Sequence, residues 1–308
     1  MSKVSVLLAT YNSEKYAAEL IESVLSQTHK DLELIIRDDG SDDRTAELAA
    51  AFVSDGRVRL LGNRERSGSA QNNFFRLLLS CDGDYIMFAD ADDVWLPEKV
   101  EKTLERMKEQ ESFYGADTPI LVHSDLSVAS HDLSIISPSL FKYEKLSPER
   151  NSLRELLAQN NVTGCTVMVN RALRALVEKQ PESSVMHDWW LALIASAFGK
   201  ISVIYEPLML YRQHGGNSVG AYDAGDLKAS ARKLSQREKT QKIYALMQAQ
   251  AACFATTFRE KLTPEQHALC LAYASLAKKN KLAKIATIVK YRFYKNTFLR
   301  NIGQFIAI

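Results

Sequence analysis

The stretch Asp84-Tyr85-Ile86-Met87-Phe88-Ala89-Asp90-Ala91-Asp92-Asp93 joins a strand-like apolar run to three carboxylates that follow it within four residues. Ligands of open α/β sheets bind outside the carboxyl ends of the strands. Carboxylates crowded at such an end repel one another unless a cation lies among them, and Mg²⁺ and Mn²⁺ prefer oxygen ligands. The stretch therefore predicts a strand of an α/β sheet that ends in a metal–phosphate site.

Strand and helix patterns alternate around this stretch. Strands are predicted at residues 3–9, 32–36, 58–61, 85–88, 120–128 and 166–169, with an extended segment at 201–211. Helices are predicted at 45–52, 72–79, 97–109 and 187–198, and an earlier helix has an apolar face formed by Ala17, Leu20, Ile21, Val24 and Leu25. Such alternation implies βαβ units and a largely parallel sheet.

The chain changes character after about residue 224, where the pattern becomes helical without further strands. We therefore predict an α/β domain at residues 1–218 and a helical C-terminal region at 219–308, with the boundary in the glycine-containing stretch 215–225. The polar segment 130–150 is expected to be a long surface loop.

Composition narrows the class of protein. A chain of 308 residues with 46% apolar residues has ample material for a core. The N-terminus lacks the long apolar segment of a signal peptide, and no run of about 18 apolar residues occurs. The cysteines are scattered, which argues against a zinc site or a disulfide framework and predicts a reducing, cytoplasmic location; they are Cys81, Cys165, Cys253 and Cys270.

A second acidic strand end, Arg37-Asp38-Asp39-Gly40-Ser41-Asp42-Asp43, lies upstream. Because Asp, Gly and Ser favour tight turns and helix N-caps, a turn followed by a cap explains this segment when it is taken alone. The cluster after residue 89 is harder to explain in this way. A turn needs one carboxylate, whereas Asp90 and Asp92 would face the same way on an extended chain.

Together with the end of the first strand, these motifs resemble family 2 glycosyltransferases of the GT-A fold. The matching segments are Val6-Leu7-Leu8-Ala9-Thr10-Tyr11-Asn12, Asp38-Asp39-Gly40-Ser41-Asp42-Asp43, Gly68 through Asn72, Phe88-Ala89-Asp90-Ala91-Asp92-Asp93 and His187-Asp188-Trp189-Trp190. The resemblance covers residues 3 to about 218 and implies a Rossmann-like, mostly parallel central sheet flanked by helices. The chain is most similar to bacterial rhamnosyltransferases of surface polysaccharides through Tyr211-Arg212-Gln213-His214, Asn217-Ser218 and its basic tail.

The resemblance implies a nucleotide-binding site at the ends of the first strands. Thr10 and Tyr11 would line the base pocket, with the Tyr11 ring as an aromatic face. Asp39 would accept a hydrogen bond from the pyrimidine N3–H, which selects uracil or thymine over cytosine. Asp90, with Ala91 beside it, would hold the ribose or lie near the metal.

The resemblance also implies a metal site. Asp92 would bind a divalent cation, Mg²⁺ or Mn²⁺, that bridges the diphosphate of the donor. His214 would return to this cation, and the alternative is an ordinary histidine of a surface loop. The family often carries an arginine near the phosphates where this chain has Gln71, so Arg64, Arg66 and Arg212 are candidate replacements.

The acceptor side is expected around the motif at residues 187–190. Asp188 would be the general base that activates the acceptor hydroxyl for in-line attack with inversion, and the alternative is an ordinary N-cap or first-turn aspartate. His187 would contact the acceptor or tune that carboxylate. Trp189 and Trp190 point about 100° apart on a helix, so one is expected in the core and the other on an acceptor-sugar platform.

The C-terminal tail is strongly basic. Eight lysines and arginines follow Glu265 without any acidic residue, and apolar residues interleave with them over residues 282–308. Such a helix can lie in a membrane interface, which predicts a protein held peripherally on the inner face of the cell membrane. The alternative is a packed helix with a solvated basic face. Nucleic acid is not an expected partner, since the preceding chain is mildly acidic.

The sequence therefore predicts a metal-dependent inverting glycosyltransferase that moves rhamnose from a dTDP- or UDP-sugar to a lipid-linked glycan. The absence of a Gln-x-x-Arg-Trp motif indicates one transfer per encounter. The alternatives are a sugar-nucleotide-binding protein without transfer activity and a nucleotidyltransferase. The latter needs a Gly-rich basic loop where this chain has Ala9-Thr10-Tyr11-Asn12-Ser13, and the same segment lacks the Gly-x-Gly-x-x-Gly of a dehydrogenase.

Overall fold

The computed structural model describes residues 2–62, 65–215, 220–223 and 237–308. The chain forms two compact units. The first comprises Met1–Leu140, Thr163–Gln180 and Gly199–Ala221, and the second comprises Phe141–Val162, Pro181–Phe198 and Tyr222–Ile308. The sequence-based division at residue 218 stays a prediction. Arg64, Asn217 and Ser218 lie outside the described residues, as does most of the predicted boundary stretch.

The first unit contains the sheet. Its strands are β1 (Val4–Thr10), β2 (Leu32–Asp38), β3 (Val58–Leu60), β4 (Tyr85–Asp90), β5 (Val94–Trp95), β6 (Ile120–Ala129), β7 (Ile135–Ser137), β8 (Val167–Asn170) and β9 (Lys200–Arg212). Among the described residues these nine strands form one sheet in the order β3-β2-β1-β4-β8-β6-β9-β5, with β7 beside β6. The predicted α/β fold is confirmed.

The parallel half of the sheet aligns the predicted motifs. Strands β3, β2, β1 and β4 run parallel, and β1 lies between β2 and β4 with Thr10 opposite Asp38 and Ala9 opposite Asp90. The interior of β1 is fully buried on both faces, as expected for a central parallel strand. The three acidic or polar strand ends therefore meet at one edge of the sheet.

The other half of the sheet is mixed. Strand β8 is antiparallel to β4 and β6, and β5 is antiparallel to β9. Segment 130–150 was expected to be a loop, but it contains the short strand β7 and a helical turn at Leu140–Tyr143. Elements of three or four residues are too short to show a hydrophobic period, which is why the sequence pattern missed them.

The helices in chain order are α1 (Ala17–Leu25), α2 (Thr45–Ala51), α3 (Ala70–Leu79), α4 (Lys99–Tyr114), α5 (Leu140–Tyr143), α6 (Leu153–Ala158), α7 (Arg171–Ala175), α8 (His187–Phe198), α9 (Arg237–Thr257), α10 (Pro264–Ala274), α11 (Lys281–Tyr291) and α12 (Phe298–Ala307). Short 3₁₀ turns occupy Phe52–Ser54, Gly164–Thr166 and Ser275–Lys278. The predicted apolar face of α1 is buried at Ala17, Leu20, Ile21 and Val24.

The second unit consists of helices. Trp190 of α8 packs against Phe254 and Phe258 of α9, with ring centroids 5.3 and 6.1 Å apart. Thr263 begins α10 with a capping box to Gln266, ahead of Pro264 at the first helical position. No helix in the described part of the chain is long and apolar enough to cross a bilayer.

Candidate functional site

The turn after β2 is built by Asp38. The Thr10 hydroxyl donates to Asp38 Oδ1 at 3.0 Å, and Asp38 Oδ2 accepts the backbone N–H groups of Gly40 and Ser41 at 3.0 and 2.8 Å. Gly40 has a φ of +79°, which favours glycine, and a Cβ there would lie 2.8 Å from Arg66 Nε. The turn explanation of this motif therefore applies to Asp38.

Asp39 has a different environment. Its Oδ1 accepts hydrogen bonds from Arg37 Nη1 at 2.9 Å and from the Ser67 N–H at 2.5 Å, and its Oδ2 accepts the Gly68 N–H at 3.0 Å. Burial raises the pKa of this carboxyl, but the hydrogen bonds from Ser67, Arg37 and Gly68 lower it below its usual value. Ionised carboxylates only accept hydrogen bonds, so these donors hold Asp39 in one orientation as an acceptor.

A buried network supports Asp39 from behind, and the sequence analysis did not find it. The Arg37 guanidinium donates to Asn73 Oδ1 at 2.7 Å and to the Glu65 carbonyl at 2.8 Å, while Asn73 Nδ2 donates to the Arg37 carbonyl at 3.0 Å. The sequence signal that could have revealed the network is Arg37 within a mostly apolar strand. A buried guanidinium needs hydrogen-bond partners, so such an arginine indicates a buried polar network. The network orients Asp39 by holding β2 against α3.

Asp92 and His214 lie together, as the sequence predicted for the metal pair. Asp92 Oδ2 is 2.9 Å from His214 Nε2, and the two side chains are 23% and 20% exposed. Neighbouring ligands of an octahedral cation with bonds of about 2.1 Å lie about 3 Å apart. A partly exposed carboxylate oxygen and imidazole nitrogen at this separation therefore fit a divalent cation.

Arg212 positions this pair and is not available to a ligand. Its guanidinium donates to the carbonyls of Asp92 and His131 at 2.8 and 2.7 Å, pairs with Glu19 and lies 4.7 Å from the centroid of the Tyr16 ring. The Tyr16 ring also lies 4.9 Å from the His214 ring. Because these groups occupy the guanidinium, Arg212 is not the missing phosphate ligand.

Tyr11 and Arg66 are accessible near the same strand ends. Tyr11 is exposed, and the Arg66 guanidinium lies 5.8 Å from the centroid of its ring. Arg66 pairs with Asp42 at 2.8 Å while both side chains remain largely exposed. Surface pairs of this kind contribute little to stability and exchange readily for another anion. Arg66 is thus the candidate phosphate ligand that the described residues offer.

Asp90 and Asp93 form a separate cluster with Cys165. Their ligand atoms lie within 4.8 Å of one another, and Asp93 and Cys165 are buried. Burial, followed by the charges of the neighbouring aspartates, raises the pKa values of the Asp93 carboxyl and the Cys165 thiol. Asp93 is fully buried and accepts the Arg212 N–H at 3.2 Å, which indicates a structural role.

Lys99 is a buried cation beside this cluster that the sequence analysis missed. Its ammonium group donates to the Cys165 carbonyl at 2.5 Å and lies 3.8 Å from the centroid of the Trp95 ring. Burial lowers the pKa of this amine to about 8. The sequence signal that could have identified Lys99 is the position of a lysine on the apolar face of helix α4.

Asp188 lies in the first turn of α8 and is half-buried, with Oδ1 accepting the Trp189 N–H at 2.6 Å. The N-terminal end of a helix favours a negative charge at this position. The geometry within the second unit agrees with an ordinary first-turn aspartate and leaves the general-base role a prediction.

Trp189, Trp190 and His187 are all buried, whereas one of the two tryptophans was expected to form an exposed platform for the acceptor sugar. The Trp189 indole N–H donates to the Leu156 carbonyl at 2.6 Å, and Trp190 packs among phenylalanines of α9. A sugar stacked on either ring would need an exposed face, so the expected acceptor platform is wrong and both rings have a packing role. The sequence pattern could not separate these cases, because Trp suits both a core and a sugar site.

Burial of His187 makes the second unit sensitive to acid. It lowers the pKa of the imidazole to about 3 from 6.5, so the folded chain holds His187 neutral while the unfolded chain binds a proton. This contribution to stability is present above pH 6.5 and is lost as the pH falls towards 3. At pH 5 the loss is about 2 kcal/mol. Urea unfolding should therefore show a smaller difference between pH 7 and pH 5 for His187→Gln.

The matched control for this measurement is His131→Gln, a substitution at an exposed histidine. It should leave the difference in unfolding free energy between the two pH values unchanged. An unchanged difference in His187→Gln would contradict the assignment.

Comparison with known proteins places the chain in a family. The family model for glycosyl transferase family 2 matches residues 5–176. An uncharacterized glycosyltransferase of Nostoc sp. is 30% identical over 70% of this chain and 66% of its own length. A dTDP-rhamnosyl transferase, RfbG of Shigella flexneri, is 26% identical over 70% of this chain and 74% of its own length.

A third relative from Escherichia coli is named as a UDP-Glc:α-D-GlcNAc-diphosphoundecaprenol β-1,3-glucosyltransferase. It is 28% identical over 55% of this chain and 61% of its own length. The chain thus spans about two thirds of the length of these relatives.

Solved structures share the fold at low identity. Staphylococcus aureus TarS 1–349 in complex with UDP-GlcNAc superposes with a TM-score of 0.60, at 16% identity over 94% of this chain and 80% of that one. The mannosyltransferase PcManGT of Pyrobaculum calidifontis, solved with GDP-Man and Mn²⁺, has a TM-score of 0.54 at 15% identity over 99% of this chain and 85% of that one.

Proposed function

Because the chain belongs to glycosyltransferase family 2, we propose that it transfers a sugar from a nucleotide-sugar donor to a glycan acceptor with inversion at the anomeric carbon. The observation that carries the proposal is the pair of Asp92 and His214, 2.9 Å apart on the first unit. The strand ends that bear Thr10 and Asp39 belong to the same sheet edge.

We propose that the nucleotide binds at this edge. Asp39 would accept the N3–H of a uracil or thymine ring, while the exposed Tyr11 ring offers an aromatic face. Thr10 lines the pocket, and Asp90 with Ala91 contacts the ribose. Solved neighbours hold UDP-GlcNAc and GDP-Man on the same fold. The fold alone therefore does not determine which nucleobase is bound, and we propose that Asp39 determines it.

Asp92 and His214 would hold a divalent cation, Mg²⁺ or Mn²⁺. Such an ion, when bound, offsets the negative charge that grows on the diphosphate as the nucleotide leaves. Arg212 keeps the main chain at Asp92 in place through its hydrogen bond to the Asp92 carbonyl. Arg66 supplies a further positive charge that can exchange Asp42 for a phosphate oxygen.

Asp188 would take the proton of the acceptor hydroxyl as that oxygen attacks the anomeric carbon. Asp188 lies in the first turn of α8, and its half-buried position leaves it partly accessible to an acceptor. One transfer per encounter is expected.

We propose a dTDP- or UDP-linked deoxyhexose, rhamnose, as the donor sugar and a lipid-linked glycan as the acceptor in surface polysaccharide synthesis. Similarity to a dTDP-rhamnosyl transferase supports the donor, and similarity to an enzyme named for a diphosphoundecaprenol-linked acceptor supports the acceptor class. A lipid-linked acceptor requires an enzyme that works at a membrane surface, so we also propose peripheral membrane association.

A thermal-shift panel of nucleotides tests the donor assignment. At a hundredfold excess over Kd, dTDP-rhamnose with Mn²⁺ should raise Tm by about 5 °C through mass action. The matched comparison is UDP against CDP, which differ at the ring position that Asp39 reads. CDP and purine diphosphates should give clearly smaller shifts, and equal shifts would contradict the Asp39 assignment. A shift without any transfer to a GlcNAc-diphosphoundecaprenol acceptor panel would favour a binding protein.

A further inference from the structure

Helix α12 of the second unit carries its polar side chains inward. Gln304 is buried and donates from Nε2 to the Phe293 carbonyl at 3.1 Å. Asn301 donates from Nδ2 to the Thr297 carbonyl at 2.9 Å, and its Oδ1 accepts the Lys295 N–H at 2.7 Å. These bonds fix the helix rotation, since turning it would leave buried polar groups without partners.

Arg300 strengthens the same orientation. Its guanidinium donates to the Glu144 carbonyl at 2.7 Å, contacts the Tyr222 hydroxyl and lies 5.3 Å from the centroid of the Tyr222 ring. The carboxylate of Glu144 lies 3.7 Å away. Arg300 is thus a half-buried structural cation and is not part of a solvated basic face.

The opposite face of α12 is apolar and exposed. Phe298, Leu299, Ile302 and Ile306 follow the i, i+1, i+4, i+8 spacing of one helix face, and all four are exposed, Phe298 at 78%. Leu282 and Val289 of α11, seven residues apart and therefore on one face of that helix, are exposed as well. A soluble surface rarely leaves so many large apolar side chains uncovered on two consecutive helices.

The charge around this face selects its partner. Lys281, Lys290 and Arg292 are exposed beside the apolar residues of α11, and no acidic residue follows Glu265. A membrane with anionic headgroups complements both properties, because apolar side chains enter the acyl boundary while cations remain among the headgroups. A second copy of this face would bring like charges together.

We propose that α12, with the exposed residues of α11, inserts its apolar face into the interface of an anionic bilayer. The alternative of a packed helix with a solvated basic face does not describe α12, whose apolar face is outward and whose arginine is inward. Helices α11 and α12 would be the membrane-binding elements of the enzyme, and the purpose of this binding rests on the proposed function. The binding itself requires neither donor nor acceptor.

Vesicle sedimentation of the full chain tests the proposal, with lipid vesicles of phosphatidylglycerol and phosphatidylcholine and no nucleotide sugar present. Phe298→Ser should weaken partitioning by about tenfold, because an aromatic side chain no longer enters the apolar layer. Lys290→Gln should weaken it by about fivefold on anionic vesicles. Pure phosphatidylcholine and high salt should reduce binding of the unaltered protein.

The chain provides a matched control in Phe113→Ser. Phe113 is also 78% exposed, but it lies on α4 of the first unit. Its replacement should leave partitioning unchanged, and neither serine variant should alter the melting temperature, because both rings lie at the surface. Equal loss of binding in both variants, or no loss in Phe298→Ser, would overturn the proposal.

Two further outcomes are decisive. If the unaltered protein fails to sediment with vesicles but forms dimers that Phe298→Ser dissociates in light scattering, the face is a contact between copies and the proposal is wrong. Nucleotide release from a donor in detergent-free solution is measured separately. Vesicle binding without transfer would overturn the proposed transfer activity alone. Transfer without vesicle binding would overturn this inference and the proposed membrane association, and it would leave the transfer activity standing.

Discussion

Replacement of Asp188 by asparagine is expected to lower the rate of sugar transfer by about a thousandfold, the middle of the range for a positioned general base. Asparagine keeps the size of the side chain and an oxygen that can accept the Trp189 N–H, which Asp188 accepts at 2.6 Å. It cannot take a proton from the acceptor hydroxyl. The loss should therefore fall on kcat, while the affinity for the nucleotide sugar measured by calorimetry stays unchanged.

The control for Asp188→Asn is Glu265→Gln. Glu265 also lies in the first turn of a helix of the second unit, so its replacement removes the same interaction with the helix N-terminus. Glu265→Gln should retain transfer, and both variants should lose only a few tenths of a kcal/mol of stability. Transfer by Asp188→Asn within a factor of about ten of the unaltered protein would refute the base assignment.

Replacement of Asp92 by asparagine is expected to lower transfer by about a hundredfold or more, because a lost metal ligand costs several kcal/mol of charge stabilisation. Calorimetric titration with Mn²⁺ in the presence of nucleotide should show a weaker metal affinity. Excess Mn²⁺ should restore part of the activity. Asp117→Asn, at an exposed turn after α4, is the matched control and should behave like the unaltered protein.

A double-mutant cycle with His214→Asn sharpens this test. Because Asp92 Oδ2 and His214 Nε2 lie 2.9 Å apart, two ligands of one ion should show effects on Mn²⁺ affinity that do not add. Additive effects would place His214 outside the metal site. Undiminished transfer in Asp92→Asn at limiting Mn²⁺ would remove Asp92 from the mechanism.

The local patterns predicted the parallel half of the sheet well. Apolar runs such as the interior of β1 have one stable environment, a strand buried on both faces, and the alternating helices require the crossovers of an α/β sheet. Strand direction in the other half could not be predicted, since the side-chain pattern of a strand does not depend on whether its neighbour is parallel. The antiparallel direction of β8 and the existence of the short β7 therefore emerged only from the structure.

The structure brings together predicted site residues that lie at strand ends, and their roles stay predictions. The sequence predicted Asp92 with His214, and the structure brings the two together although they are 122 positions apart in the chain. It could not find Lys99 or the Arg37–Asn73 network, because the partners of a buried cation are distant in sequence. It also placed Trp189 and Trp190 near an acceptor, although their surroundings are those of a core.

The sequence by itself determined the α/β class, the acidic ends of two predicted strands and the basic character of the tail. These properties follow from periodicity and composition, which are local or additive. Tertiary structure alone decided that Asp93 is buried while Asp92 stays partly exposed beside His214, because the groups that surround each carboxylate come from distant parts of the sequence. It alone decided that α12 turns Phe298 outward and Gln304 inward, since rotation of an amphipathic helix depends on the hydrogen-bond partners available on the unit it packs against.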